Sequence, residues 1–374
     1  MRAAVGQEKL PEAAPETCGL DGDKLEAMRE VLTPWGIKSV LVVKNGRKAW
    51  EWHEAGQDRQ GSIYSCTKSV LSALIGIAVD NGYIDNVERP IGDYLELGEL
   101  PENGSRSAHR ITIRHLLTMK SGFDWPDFDK PYNQMKKADD WVRYVLDRPV
   151  VHEPGEAFTY NSGGSHLLSA ILTKTTGQST LAFAMDKLFG PLGIRRVRWN
   201  AGQGVQEGGT GLYMTAADLA KFGLLYARKG VWEGRRIVSA DWVAQSTVAS
   251  TKGLLHYKPP IYGCYGYHWW VSAEQPEEVP DYFFAFGFGG QYLAVAPEEE
   301  LVAVIRKGLA GRNKAILSRR LLHEYIFAAL IGSRRTIPAS QSSNEESSPA
   351  SQAKDVTVRD GKAVRIVQQS VPRA

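Results

Sequence analysis

Apolar positions along the chain hold one spacing for a stretch and then change it, and each change predicts a boundary between elements. From Gly19, the segment DGDKLEAMREVL spaces its apolar residues as one face of a helix. Over Ile37 to Trp52 the period shortens. There SVLVV and AWEWH flank Lys44-Asn45-Gly46-Arg47-Lys48, which predicts two strands around an Asn-Gly turn. Ser69 to Gly82 (SVLSALIGIAVDNG) is apolar almost throughout and predicts a helix. Polar loops then alternate with helical pieces at Ile111 to Met119, Asp139 to Asp147, Ser165 to Gly177, Ser179 to Gly190 and Met214 to Lys229. The last has Thr215 as its expected N-cap and Gly230 as its expected C-cap. Short aromatic or β-branched runs follow at Tyr265 to Val271, Phe283 to Phe286, Tyr292 to Ala296 and Leu301 to Arg306, the pattern of an antiparallel meander. A helix over Lys314 to Ile331 closes the series.

Strands at both ends with helices between them predict an α/β (α+β) fold. Residues 19–75 and 205–332 are expected to form a discontinuous sheet domain, with a mainly helical domain, 76–204, inserted. Small ligands usually bind in the crevice between two such lobes. Residues 1–18 read as a flexible arm. Residues 333–374 contain the low-complexity run PASQSSNEESSPASQ, with a small hairpin pattern around Asp360-Gly361.

Composition narrows the function more than the fold. With 374 residues, 43% of them hydrophobic, the chain can bury a sizeable core. A net charge of +3 is too mild and dispersed to predict a nucleic-acid or membrane-surface partner, so a small molecule is the expected one. Three scattered cysteines give no disulfide framework, and the N-terminus has no apolar signal-like core, so a cytoplasmic protein is expected. No P-loop, G-x-G-x-x-G, G-x-S-x-G, C-x-x-C or H-E-x-x-H pattern occurs, and the eight histidines show no metal spacing. No metal or cofactor is expected. His166 reads as a surface or satisfied histidine, and Cys66 as a small core residue.

Three segments carry candidate chemistry. Ser65-Cys66-Thr67-Lys68 stands at the mouth of the apolar stretch, where i, i+3 spacing stacks hydroxyl and ammonium on one helical face. The same spacing recurs by chance at Ser351 to Lys354, in a polar run that no core could hold. Phe158-Thr159-Tyr160-Asn161-Ser162-Gly163-Gly164 places Tyr160 on a loop entering a helix, where a nearby ammonium would stabilise its phenolate. A purely packing role for Tyr160 stays open. Ala285-Phe286-Gly287-Phe288-Gly289-Gly290-Gln291 has three glycines in four residues, suited either to close backbone approach to a substrate or to an ordinary strand turn.

In this order the three segments resemble the serine β-lactamase and penicillin-binding superfamily, whose pattern is S-x-x-K, then Y-x-N or Y-x-S, then a glycine-bearing third box. Ile111 to Phe123 and Gly209 to Gly223 are similar to that family's segments too. The likeness spans roughly residues 19 to 332 and is strongest to class C-like esterases and 6-aminohexanoate-dimer hydrolases. It implies a β-lactamase-like fold, an antiparallel sheet flanked by helices with the mainly helical domain inserted. It also implies Ser65 as nucleophile, Lys68 as its deprotonating partner and Tyr160 as proton relay. The N–H groups of Ser65 and Phe288 would form an oxyanion hole, and Ser162, Gly287 and Gly289 would line the substrate site. One departure matters: β-lactamases and DD-peptidases carry K-T-G or a basic variant in the third box, whereas Phe286, Gly287 and Phe288 supply no cation. Losing a charge-assisted contact of about 1.5–3 kcal/mol weakens binding of penicillin-like acids roughly ten- to a hundredfold. Carboxylic esters or short amides are therefore the expected substrates. The alternatives are a β-lactamase or D-amino-acid peptidase of the same fold, or a non-catalytic sensor.

Overall fold

The period-two runs at the two ends of the chain pair into one sheet. In this computed structural model, residues 9–97, 106–126, 130–258, 260–273, 276, 278–309 and 315–332 are described. β1 (Ile37–Lys44) and β2 (Arg47–His53) join β3 (Cys264–Tyr265), β4 (Trp270–Val271), β5 (Phe283–Gly287), β6 (Gln291–Ala296) and β7 (Leu301–Lys307). The order is β3-β4-β5-β6-β7-β1-β2, antiparallel throughout. The N-terminal hairpin thus docks on the last strand, with Val40 opposite Ile305 and Val42 opposite Ala303. Its turn has Asn45 at φ 53° and Gly46 at φ 75°, the left-handed pair that a two-residue hairpin loop requires.

Both faces of the sheet are apolar because helices cover both. Leu41, Val43, Leu293, Val295, Val302 and Val304 pack into the core shared with α3 (Thr67–Asp80) and α9 (Ala216–Ala227). The alternate residues, among them Val40, Val42, Tyr292, Ala294, Ala303 and Ile305, face α1 (Gly22–Ala27), α2 (Arg29–Leu32) and α11 (Ile316–Leu321). The middle of the chain supplies α4 (Ile113–Leu117), α5 (Lys130–Met135), α6 (Trp141–Leu146), α7 (Ser162–Thr176), α8 (Thr180–Ala184) and α10 (Ala240–Thr247). Among the described residues no helix is long and apolar enough to cross a membrane.

Several boundaries differ from the sequence pattern. The first helix breaks at Met28 into α1 and α2. α7 starts at Ser162, three residues early, because Asn161 rather than a later residue caps it. Thr215 caps α9 as expected, but the helix ends at Ala227 with Arg228 as its C-cap, and Gly230, at φ 83°, turns the chain two residues after that cap. Tyr265 to Val271 is not one strand, since residues 266–269 bend out between β3 and β4 with His268 at φ 59°. Consecutive aromatics hid that bend, because Tyr265, Tyr267, Trp269 and Trp270 suit either register. The closing helix is α-helical only over Ile316–Leu321 and continues as a π turn and a 3-10 turn. Residues 9–18 of the expected arm run beside β2, where the Ala13 N–H donates to Lys48 O (3.1 Å) and the Lys48 N–H to Pro11 O (2.7 Å). Residues 1–8 and the tail with its hairpin pattern, 333–374, lie outside the described residues.

α9 lies close on the sheet because Gly223 has no side chain; a Cβ there would come within 2.7 Å of Leu293 Cδ1 and Val302 Cγ1. Gly223→Val is expected to lower the unfolding free energy by about 1–3 kcal/mol through overpacking. A urea midpoint unchanged from wild type would refute this close packing.

Candidate active site

Ser65 sits in a 3-10 turn, Tyr64–Cys66, immediately ahead of α3. Tyr64 adopts φ 47°, a conformation that costs a bulky residue of the order of 1–3 kcal/mol and persists only where its surroundings enforce it. α3 is predominantly apolar and is buried from Thr67 through Ala78. That burial takes Lys68 with it, leaving 1% of its surface exposed. Its Nζ lies 3.2 Å from Ser65 Oγ, 2.9 Å from Ser162 Oγ and 2.7 Å from Gly209 O. Among the described residues no carboxylate pairs with it. Burial without a counter-charge pulls the Lys68 ammonium down to about 7, with Cys66 opposing weakly.

Tyr160 is held from both sides by Met119, itself at φ 60°. The Thr159 N–H donates to Met119 O (2.8 Å) and the Asn161 N–H to Met119 Sδ (3.2 Å). Asn161 Oδ1 then accepts from the Gly164 N–H (2.9 Å), capping α7. The Tyr160 ring stacks on Trp270 at 5.8 Å and meets Tyr265 edge-on at 6.2 Å. Burial raises the phenol far above the usual tyrosine range, and the neighbouring Ser65 side chain opposes this only in part. The expectation of a stabilised phenolate is thereby corrected. Lys68 Nζ lies 4.9 Å from the centroid of the ring, over its π face, while burial of both groups favours their neutral forms.

The third glycine segment abuts the serine turn. A Cβ on Gly287 would fall 2.4 Å from Ile63 O, so only glycine lets the end of β5 approach this closely. Gly289 (φ 79°) and Gly290 (φ 97°) complete a turn that Gln291 braces by donating Nε2–H to Phe288 O (3.3 Å) and Lys307 O (2.7 Å). Phe288 is 37% exposed, and its ring tilts against Tyr64 at 5.9 Å. The fold therefore gathers Ser65, Lys68 and Ser162 into one hydrogen-bonded cluster and sets the Tyr160 ring, Gly287 and Phe288 beside it.

Other residues were not legible as site residues. Gly209 lends Lys68 its carbonyl, and the signal available was the doublet Gly208-Gly209 ahead of α9. His268 donates its N–H to Leu117 O (3.0 Å), accepts on its carbonyl from Ser69 Oγ (2.7 Å) and lies near Lys68; burial chiefly, and then Lys68, lower its imidazole to about 3. His166 is not on the surface: it is buried against Trp141, and burial lowers it to about 4. Cys66 is buried in the core as expected. Trp125 and Tyr132 belong to the helical core, whereas Tyr257, 39% exposed, begins an aromatic file through Tyr262 and Trp270 to Tyr160.

This chain belongs to the Beta-lactamase family, whose profile matches residues 38–329. It is thus a member of the serine β-lactamase and penicillin-binding superfamily, a group of hydrolases. It is 25% identical to a 6-aminohexanoate-dimer hydrolase of Paenarthrobacter ureafaciens over 331 residues, 81% of each protein. Among solved structures, the octameric penicillin-binding protein homologue from Pyrococcus abyssi superposes with a TM-score of 0.62 at 19% identity, covering 83% of this chain and 79% of that one. EstCE1, a hydrolase with promiscuous acyltransferase activity, superposes with a TM-score of 0.62 at 15% identity, covering 79% and 97%. At these identities the structures share the fold, a β-lactamase-like arrangement of an antiparallel sheet and flanking helices.

A lysine lowered by burial leaves a mark on stability. Between about 7 and its unfolded value of 10.5, Lys68 carries a proton in the unfolded chain and none in the folded one, so its contribution to stability rises with pH across that window. The unfolding free energy of wild type, relative to Lys68→Met, is expected to climb by about 1.4 kcal/mol per pH unit there. A flat difference would show that the amine keeps its ordinary basicity.

Proposed function

We propose that this protein is a serine hydrolase that forms an acyl-enzyme at Ser65, acting on uncharged carboxylic esters or short amides. The observation that carries the reading is a fully buried amine without a carboxylate partner among the described residues, 3.2 Å from a serine hydroxyl and over the face of the Tyr160 ring; burial brings that amine down to about 7. The Lys68 amine accepts the Ser65 proton as Oγ attacks the substrate carbonyl carbon. The oxyanion that develops faces the N–H groups of Ser65 and Phe288. Tyr160 donates its phenolic proton to the departing alkoxide or amine, and the Lys68 ammonium returns a proton to the phenolate. Water, deprotonated along the same path, then releases the acid and restores Ser65. Ser162 keeps Lys68 in reach, and Gly287 and Gly289 admit the substrate to the third segment.

What borders the serine supports this substrate class. Phe286, Gly287 and Phe288 offer no cation, while the Tyr64 and Phe288 rings lie together beside it. Apolar, uncharged acyl groups suit that border better than the carboxylates of penicillin-like acids. The relative named for hydrolysing a 6-aminohexanoate dimer supports a hydrolytic role.

Purified protein is expected to hydrolyse a p-nitrophenyl acyl ester faster than nitrocefin, and Ser65→Ala to abolish ester turnover and fluorophosphonate labelling. Turnover that survives Ser65→Ala would refute the assignment. Because the base must be neutral, kcat/KM is expected to rise with pH to a plateau, with a midpoint near the Lys68 value of about 7. A profile flat between pH 5 and 9 would remove Lys68 from that role.

A further inference from the structure

A buried carboxylate stands two residues before the carbonyl that Lys68 contacts most closely. Glu207 is 3% exposed. One of its oxygens pairs with Lys136 Nζ at 2.8 Å, at the end of α5. The other accepts from Thr210 Oγ at 2.9 Å, so the side chain folds back over its own loop. Tyr132 OH lies 3.0 Å from Thr210 Oγ. Since the Thr210 proton is committed to the carboxylate, Tyr132 must be the donor in that bond. The direction of the chain is thereby fixed as Tyr132 to Thr210 to Glu207. The backbone is tied as well: the Glu207 N–H donates to Asn200 O (2.8 Å), Asn200 N–H to Gly211 O (2.9 Å), and Trp199 Nε1–H to Glu207 O (2.9 Å).

What this clasp encloses is the doublet Gly208-Gly209, pressed on the first turns of α7. A Cβ on Gly208 would lie 2.0 Å from Ser165 O, and one on Gly209 would lie 2.7 Å from Ser162 Cβ. The Gly209 carbonyl reaches Lys68 only because of that approach. A neutral amine has two N–H bonds and one lone pair. Gly209 O can only accept, so it must take an N–H, which leaves the lone pair free to be turned toward the Ser65 hydroxyl.

We propose that Glu207 is a positioning residue: tied to Thr210 and Lys136, its carboxylate holds the Gly208-Gly209 backbone on α7, so that the Gly209 carbonyl sets the direction in which the Lys68 amine faces. This rests on Lys68 acting as the base at Ser65. The titratable groups facing Lys68 are Cys66 from its own turn, Tyr160 from the loop before α7 and His268 from the bend before β4. Those facing Glu207 are Tyr132 from α5, Lys136 immediately after it, and His166 from α7.

The sign of a pH shift separates positioning from plain charge. Removing a negative charge near an amine favours its neutral form and would move the acid limb of kcat/KM down. Releasing the Gly209 clamp lets the amine move and hydrate, which moves the limb up. For p-nitrophenyl acetate, Glu207→Gln and Thr210→Val are expected to lower kcat/KM at pH 7 about ten- to a hundredfold and to raise the acid-limb midpoint by about one pH unit. Thr210→Ser, which keeps the hydroxyl, is expected to retain the wild-type profile. If Glu207→Gln does not fold, Thr210→Val against Thr210→Ser decides alone. A wild-type acid limb that Thr210→Val leaves in place, or that Glu207→Gln moves down, overturns the positioning role, whatever happens to the thermal midpoint. Absence of the limb in wild type itself would instead overturn the assignment of Lys68 as base.

Discussion

Burial of one ammonium group without a counter-charge is the constraint on which the rest of the site depends. A lysine amine in water binds a proton near pH 10.5 and cannot serve as a base at neutral pH. α3 removes Lys68 from water by being buried along most of its length, and the turn before it, the start of α7 and the Gly209 loop surround the amine with two hydroxyls and a carbonyl instead of a carboxylate. A carboxylate in any of those places would restore the proton. The polar partners therefore satisfy the amine's N–H bonds without fixing its charge, a distinction between hydrogen bonding and ion pairing that only a dry interior makes sharp.

Holding this arrangement strains the backbone around it. Three non-glycine residues with positive φ, Tyr64, Met119 and His268, lie in the segments that carry or brace Ser65, Tyr160 and Lys68. Each sits where a regular continuation would miss its target. Tyr64 starts the serine turn, Met119 offers a carbonyl and a sulfur to the residues flanking Tyr160, and His268 turns its backbone onto α3. Such conformations survive only where packed elements enforce them, and here the sheet with helices on both faces provides that rigidity. Glycines do the complementary work: Gly287 and Gly208 let backbone approach backbone where any Cβ would collide.

Much of the frame was legible because it follows from short-range rules. The Asn-Gly hairpin, the four C-terminal runs and the apolar stretch after Ser65 each carry a period or a turn signal that operates within a dozen residues. Breaks inside elements were harder to see. In Tyr265 to Val271 only Gly266 hints at the bend that His268 completes, while large aromatics on both faces mask it, and the start of α7 depended on which of several polar residues would cap it.

The site divides along the same line. Sequence alone determined the chemical inventory: a serine and lysine one helical turn apart, a tyrosine before a capped helix, a glycine-rich strand end, and a third segment with no cation. These are properties of residue type and local spacing, and folding cannot alter them. Tertiary structure alone decided the protonation states and the supporting contacts. Whether Lys68 is neutral and Tyr160 protonated depends on how much water and charge surround them, and the carbonyl of Gly209 and the carboxylate of Glu207 arrive from more than a hundred residues away. Dielectric surroundings and long-range approach are set by packing, and no local pattern in the chain encodes them.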